Sequence, residues 1–275
     1  MKDKKNMNEL VALLLESGSR ELVIFVLLAM ARLIVLSSFT PFFAPKIAMI
    51  VKLPLCVCFI LPAIPIFMVQ AELHVNIDLS AAVICALLFK EIVIGFLIAF
   101  ISGVFFYAAM SAGMIIDNQR GASQALGGDL IDEVQNSPFG SVLMLSLVIL
   151  FYSTGAIIAY LTFVLSSYTV WPVYEVLPGV TAAKVAEYAG VGLNTLMATA
   201  MVICSPFVIV ALMTDISLGL INRFAPQLNV FILSMPIKSG LCAVLIVLFI
   251  QPYMEIGEIY LNKMITMLTY LTKLF

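Results

Sequence analysis

Two apolar stretches set the terms for the rest of the chain. No charged residue occurs from 92 to 116, and none from 134 to 174. Either run exceeds the ~20 residues that carry a helix across the ~30 Å hydrocarbon core of a bilayer. In that medium the backbone must satisfy its own hydrogen bonds, so helix is the default conformation. Of the 275 residues 63% are hydrophobic and 11% charged, against about 45–50% and 25% in soluble domains. A mean hydropathy of +1.14 leaves too little polar surface to cover a water-soluble globule. The reading is all-α: a membrane-type bundle of about six to eight long helices, in one domain spanning residues 1–275, with no room for a second, soluble one.

Apolar segments run roughly over 22–38, 47–70, 79–116, 139–171, 188–214 and 228–254. Two are too long for simple spans. Residues 139–171 would reach ~50 Å as one straight helix at ~1.5 Å per residue. The segment 79–116 is longer still and carries Lys90 and Glu91 inside it. Such segments either fold back as hairpins or are not housed in a bilayer in the ordinary way. Prolines at 41, 45, 54, 62, 65, 206, 226 and 236 each remove a backbone donor and kink or end a helix, which predicts proline-broken hairpins. Small residues recur four apart at Gly95, Ala99 and Gly103, and again at Ala109 and Gly113. That spacing lets helix backbones approach closely, and the partner helix could belong to another subunit.

The charge pattern excludes several functions. Net charge is −2, with no basic stripe to hold nucleic acid. Lys and Arg do not alternate between loops strongly enough to orient the spans. The N-terminal residues 1–20 read as a short amphipathic segment rather than a cleavable signal, so insertion is expected through internal spans. The five cysteines all lie in apolar runs and read as small buried hydrophobes. Cys56 and Cys58 are two apart, which on a helix is not one face, and no metal site is expected. His74 sits in the alternating "ELHVNID", a solvated extended segment. No nucleophile elbow, phosphate loop or metalloprotease helix is present, so no catalytic residue and no cofactor is assigned.

Charges inside apolar segments cost energy and need partners. They are Arg32, Lys90, Glu91, Asp215, Arg223 and Lys238. Lys90 and Glu91 are adjacent, about 100° apart on a helix, so each should have a further partner or face water. Asp215 and Arg223, eight apart, are expected to flank a turn. Structural ion pairs between helices, an aqueous conduit and a proton relay remain open for this set. A stand-alone proton- or ion-coupled small-molecule transporter built on Lys90, Glu91 and Asp215 is the rival function.

Between the two uncharged stretches lies "GMIIDNQRGASQALGGD", glycine-rich, polar and charged. Together with Arg32 and "TPFFAPK", "KEIVIGF", and "LINRFAPQLNVF" followed by "PIK", it resembles the T-subunit family of type III secretion export apparatuses, whose flagellar counterpart is the FliR family. "DNQRGA" is more similar to the injectisome branch. The resemblance implies a non-enzymatic subunit of a helical, multi-subunit export gate in the bacterial inner membrane, multi-pass and partly raised toward the periplasm. R-type and S-type gate subunits, a U-type switch and a V-type export subunit would be its partners, and unfolded proteins its cargo. It implies a plug-like loop over 113–133, with Gly113, Met114, Ile115, Ile116, Asp117, Gln119, Arg120 and Gly121 at the gate. It places a helix-turn in the subunit core at "FAPQLNVF", shaped by Pro226 and Asn229. The residues suit a movable seal: glycines permit positive φ, Asp117 and Arg120 are three apart and can pair, and Met114, Ile115 and Ile116 are apolar.

Overall fold

The computed structural model describes residues 19–43, 49–67, 80–121, 137–175, 182–227 and 229–274. His74, residues 129–133 and most of the N-terminal segment lie outside them. Among the described residues the regular structure is helical. The main elements are α1 (Ser19–Phe39), α2 (Met49–Ile60), α3 (Ala81–Gln119), α4 (Pro138–Ser153), α5 (Ala156–Val170), α6 (Ala182–Phe224) and α7 (Val230–Leu274). Short 3-10 turns follow α1 and α2 at Pro41–Phe43 and Leu61–Ala63. Four stretches are long and apolar enough to cross a membrane: Ile50–Phe67, Ala82–Gln119, Ala183–Phe224 and Ile232–Thr272. The broken pair α4–α5 makes a fifth if counted as one span.

The breaks lie elsewhere than the prolines suggest. Pro54, Pro206, Pro236 and Pro252 sit inside helices rather than ending them. At Pro206 the physical reason is visible. Proline cannot donate to the carbonyl four residues back, and the Ser205 hydroxyl donates to that Val202 carbonyl instead, at 2.9 Å. Pro41 and Pro62 do lie in the 3-10 turns, and Pro226 lies in the turn between α6 and α7. The 139–171 stretch breaks at Thr154–Gly155, where Gly155 adopts φ +73°, a conformation glycine reaches without a Cβ penalty. The 79–116 stretch does not fold back at all. It is part of α3, whose 39 residues extend ~58 Å.

Contacts group the chain into two compact units, one of residues 1–103, 158–186 and 266–275, the other of 104–157 and 187–265. In the first, α1 and α3 touch at Gly95, where a Cβ would lie 2.7 Å from the Arg32 carbonyl oxygen. The expected small-residue seam is therefore real, and at Gly95 its partner belongs to the same chain. Aromatic rings fill the space beside it: Phe67 packs edge-on to Tyr168 at 5.2 Å, and Phe42 edge-on to Tyr160 at 5.0 Å. The Tyr168 and Tyr174 hydroxyls donate to the carbonyls of Ala29 (2.9 Å) and Phe67 (3.0 Å). Tyr174 lies beyond the apolar helices, and burial pushes its hydroxyl pKa up.

In the second unit the end of α3 packs on α4, α6 and α7. Gly113 and Gly140 cross so closely that a Cβ on Gly113 would meet the Gly140 nitrogen at 2.1 Å. Phe106 stands edge-on to Phe151 at 5.7 Å, and Phe105 stacks on Tyr260 at 5.3 Å. Tyr253 on α7 donates to the Leu143 carbonyl of α4 at 2.7 Å. The outer faces of α6 and α7 remain apolar, with Met201, Leu212, Val244 and Val247 exposed, as fits contact with lipid or other helices.

Candidate functional site

An apolar chain spends its few charges where they matter. The structure gathers the paired ones into two nodes, one in each unit: Arg32, Lys90 and Glu91, and Asp117, Arg120, Asp215 and Lys238. The first joins α1, α3 and the end of α5. Arg32, fully buried, sends Nε to Glu91 Oε2 at 2.7 Å and Nη2 to Oε1 at 3.0 Å. This fork geometry makes the pair stronger and more directional than a point contact. Its remaining donors reach Ser167 Oγ (2.9 Å) and the Trp171 carbonyl (3.1 Å), while the guanidinium lies 4.3 Å from the Tyr168 ring centroid. Lys90 Nζ lies 3.1 Å from Glu91 Oε1 and donates to the carbonyls of Pro172, Val173 and Glu175 at 2.6 to 3.0 Å. Each residue thus has the further partner its helical position demands, and neither faces water.

The node holds two cations and one buried carboxylate, with the exposed Glu175 adding negative charge near Lys90. The surplus charge is met by the carbonyls of 171–175, which follow the C-terminal end of α5, where the helix dipole is negative. One buried acid suffices because a helix end and the exposed Glu175 supply the rest.

The second node lies where α3 ends. Here the plug expectation needs correction. Residues 113–119 are the last two turns of α3, not loop, and only Arg120 and Gly121 form a turn; residues 122–136 lie outside the described ones. The helix persists because its polar residues are satisfied by neighbouring elements, so the backbone need not unwind to wet them. Asp117, 5% exposed, would be misplaced by its own helix, since an acid in the last turn opposes the dipole. It faces the N-terminus of α4 instead. Asp117 Oδ2 accepts from the Ser137 hydroxyl and from the Phe139 N–H at 3.2 Å. Ser137 is the N-cap of α4, its Oγ also accepting from Gly140 N–H at 2.8 Å. Asp117 Oδ1 takes the other side, accepting from Arg120 Nε and Nη2, each at 2.7 Å. The Arg120 guanidinium rests 4.6 Å from the Phe139 ring centroid.

Ile116 is buried and Met114 and Ile115 are half-buried, while Gln119 is exposed. The Gln119 carbonyl, at the C-terminal end of α3, accepts from Lys238 Nζ of α7 at 3.3 Å. Lys238 also pairs with Asp215 of α6 at 2.6 Å. Asp215 and Arg223 do not flank a turn. Both lie on α6, Arg223 in its exposed last turn, and the partner of Asp215 comes from α7. The α6–α7 hairpin closes through Pro226 in the turn and Asn229, whose Oδ1 accepts from the Ile232 N–H at 3.4 Å. That is the bond of an N-cap.

Sequence reading did not find Ser137, Phe139, Gly140, Ser167, Tyr168 or Trp171. For Ser137 a signal was there: Ser before Pro at the head of an apolar run marks a helix start. For backbone carbonyls such as that of Trp171 there is none. Among the described residues no group of His, Cys, Asp and Glu could hold a metal ion. Cys56 is buried and Cys58 exposed, as opposite faces require.

Known proteins resemble this one along most of its length. Yop proteins translocation protein T of Yersinia pestis is 37% identical over 179 residues, covering 65% of this chain and 68% of that protein. Secretion system apparatus protein SsaT of Salmonella typhimurium is 34% identical over 197 residues, 70% of this chain and 72% of that one. Flagellar biosynthetic protein FliR of Bacillus subtilis is 26% identical over 161 residues, 58% and 62% of the two chains. The family model of the bacterial export proteins, family 1, matches residues 23–264, and the chain belongs to that family.

Proposed function

We propose that this chain is a membrane subunit of a type III secretion export gate and forms part of the channel through which unfolded proteins leave the cell. Its partners in that assembly are R-type and S-type gate subunits, with a U-type switch and a V-type export subunit nearby, in the bacterial inner membrane. The relatives named for translocation and secretion support the assignment, as do apolar helix faces left for neighbouring subunits. The observation that carries it is the commitment of the charges. Arg32, Lys90 and Glu91 are buried and bonded to one another and to backbone carbonyls, and Asp215 is held by Lys238. A coupled transporter needs ionisable groups that exchange protons or ions with water. Of the three groups the transporter would use, Lys90 and Glu91 are sealed from water and Asp215 alone meets it, which favours a gate component without enzymatic chemistry over the small-molecule transporter.

The gate itself is placed at Gly113, Met114, Ile115, Ile116, Asp117, Gln119, Arg120 and Gly121. In this reading the helical end of α3 supplies an apolar shoulder, and the Arg120–Gly121 turn supplies the movable tip. The test is purification from membranes with identification of co-purifying chains. Stable recovery with R-type and S-type subunits is expected. A monodisperse protein that moves a solute by itself in liposomes would overturn the proposal.

A further inference from the structure

Asp117 uses its two oxygens differently, and the difference places the moving part. On the Oδ2 side, everything is interlocked. The Ser137 hydroxyl donates to Asp117 while accepting from Gly140 N–H, and Phe139 N–H donates alongside. Beneath these bonds the Gly113–Gly140 crossing has no slack, because even a Cβ would fall 2.1 Å from backbone. Separating this side would strip the N-cap and leave buried N–H groups of the first turn of α4 unpaired.

The Oδ1 side is simpler. Its donor is Arg120, the first residue past α3 and more exposed than Asp117, at 15% against 8% for the side chains. Next to it Gly121 holds φ +79°, and an added Cβ would meet only the Met235 side chain, at 3.3 Å from Cγ. If Arg120 leaves, Asp117 keeps two hydrogen bonds and the positive end of α4. Only Oδ1 loses its donors, and α3 stays joined to α4 through Oδ2.

We infer that Arg120 is the releasable half of a latch centred on Asp117, and that the boundary between fixed and moving parts of the gate lies between Asp117 and Gly121. Gly113 is then a packing glycine, not a hinge, and Asp117 and Ser137 are positioning residues on the fixed side. This rests on the gate reading above and sharpens it to single side chains.

The experiment compares variants of the full chain, assembled with its neighbouring subunits, in planar bilayers at rest. Arg120→Gln is expected to assemble in near-normal yield with a lowered thermal midpoint, since the buried Oδ1 loses its cation, yet to raise the resting ion conductance tenfold or more. Arg120→Lys, which keeps the charge, should restore most of the seal. Gly113→Ala should lose assembly rather than leak. A deletion of residues 118–121 separates the two levels of the argument. If the deletion leaks and Arg120→Gln is as tight as the unmodified complex, the latch is wrong and the gate placement stands. If neither leaks, the gate placement itself falls. If Arg120→Gln fails to assemble, Arg120 belongs to the fixed side and the inferred boundary is overturned.

Discussion

The Glu91 node and the Asp117 node use the same materials, a buried carboxylate and cations brought by helices, and reach opposite mechanical ends. Glu91 is the one buried acid beside two cations, Arg32 and Lys90, none of them exposed, and their other bonds go to backbone carbonyls, a serine hydroxyl and a ring face. Removing Glu91 leaves two buried cations without their carboxylate, whereas removing Arg32 or Lys90 leaves Glu91 paired with the other. Asp117 has a helix N-terminus on one side and a single arginine on the other. If that arginine leaves, Oδ2 keeps its two donors while Oδ1 loses both of its own. Charge count alone would not separate the two nodes; what separates them is which groups remain satisfied after one contact breaks.

The largest effect should come from Glu91→Ala. Removing one partner of a buried ion pair costs about 3–5 kcal/mol, and here it strands two cations at once. The expected outcome is near-complete loss of the folded subunit, read as recovery from detergent-solubilised membranes and as the thermal unfolding midpoint. Recovery in normal amounts with an unchanged midpoint would show that the node is not structural, and the contrast drawn with Asp117 would collapse.

Next comes Gly113→Ala against Gly190→Ala, two substitutions alike on paper. At Gly113 the new methyl meets the backbone of α4 at 2.1 Å, whereas at Gly190 nothing lies within 4 Å. Overpacking typically costs about 1–3 kcal/mol, and contact with backbone rather than a flexible side chain puts Gly113 at the upper end. Gly190→Ala in an exposed helix interior should instead stabilise by about 0.5–1 kcal/mol. Unfolding of the isolated subunit in detergent checks both signs, and equal effects would remove the close crossing on which the fixed side depends.

Ser137→Ala should fall below these. Losing an N-cap costs about 1 kcal/mol, and Asp117 loses one of its donors in addition. Phe139 N–H and Arg120 stay in place, so the substitution weakens the fixed side without freeing it. A measurable drop in stability with a resting conductance that stays low is the expected pair of readings. A leak as large as that of Arg120→Gln would mean that both oxygens of Asp117 work alike.

How far these distinctions were legible in the sequence depends on the kind of bond. Every charged residue of both nodes stands out against the apolar background, and the pairing of Asp117 with Arg120 follows from a spacing of three. The pairing of Arg32 with Glu91 crosses 59 positions and has no local signature. Carbonyl partners such as Trp171, Pro172 and Val173 cannot be read from residue type, because every residue has one. The stretch around Asp117 was read as loop because the family resemblance implied one, and its glycines, Asp117 and Asn118, poor helix formers, agreed with that. What prevailed was tertiary satisfaction from α4 and α7, which single-chain propensity does not contain. The break at Gly155 rather than at a proline is the same lesson inverted. Proline was tolerated where a neighbouring serine took over its carbonyl, and the chain turned where glycine allowed a positive φ.

The smallest effect should be that of Asp215→Asn, and its smallness matters. Lys238 Nζ lies 2.6 Å from Asp215, a close pair, but the Asp215 side chain is 46% exposed. Exposed pairs contribute about 0–1 kcal/mol even at good geometry, because water competes for both charges. Lys238 also keeps its bond to the Gln119 carbonyl at the end of α3, where the helix dipole favours a cation. Replacing the acid by its amide should therefore shift stability by less than about 1 kcal/mol, and in the isolated subunit the shift should shrink further as salt is raised. Resting conductance of the assembled complex should not change, since neither oxygen of Asp117 is touched. If Asp215→Asn instead costs as much as Glu91→Ala, the pair is buried in the assembly by a neighbouring subunit. Asp215 and Lys238 would then join the Glu91 node among the fixed structural charges.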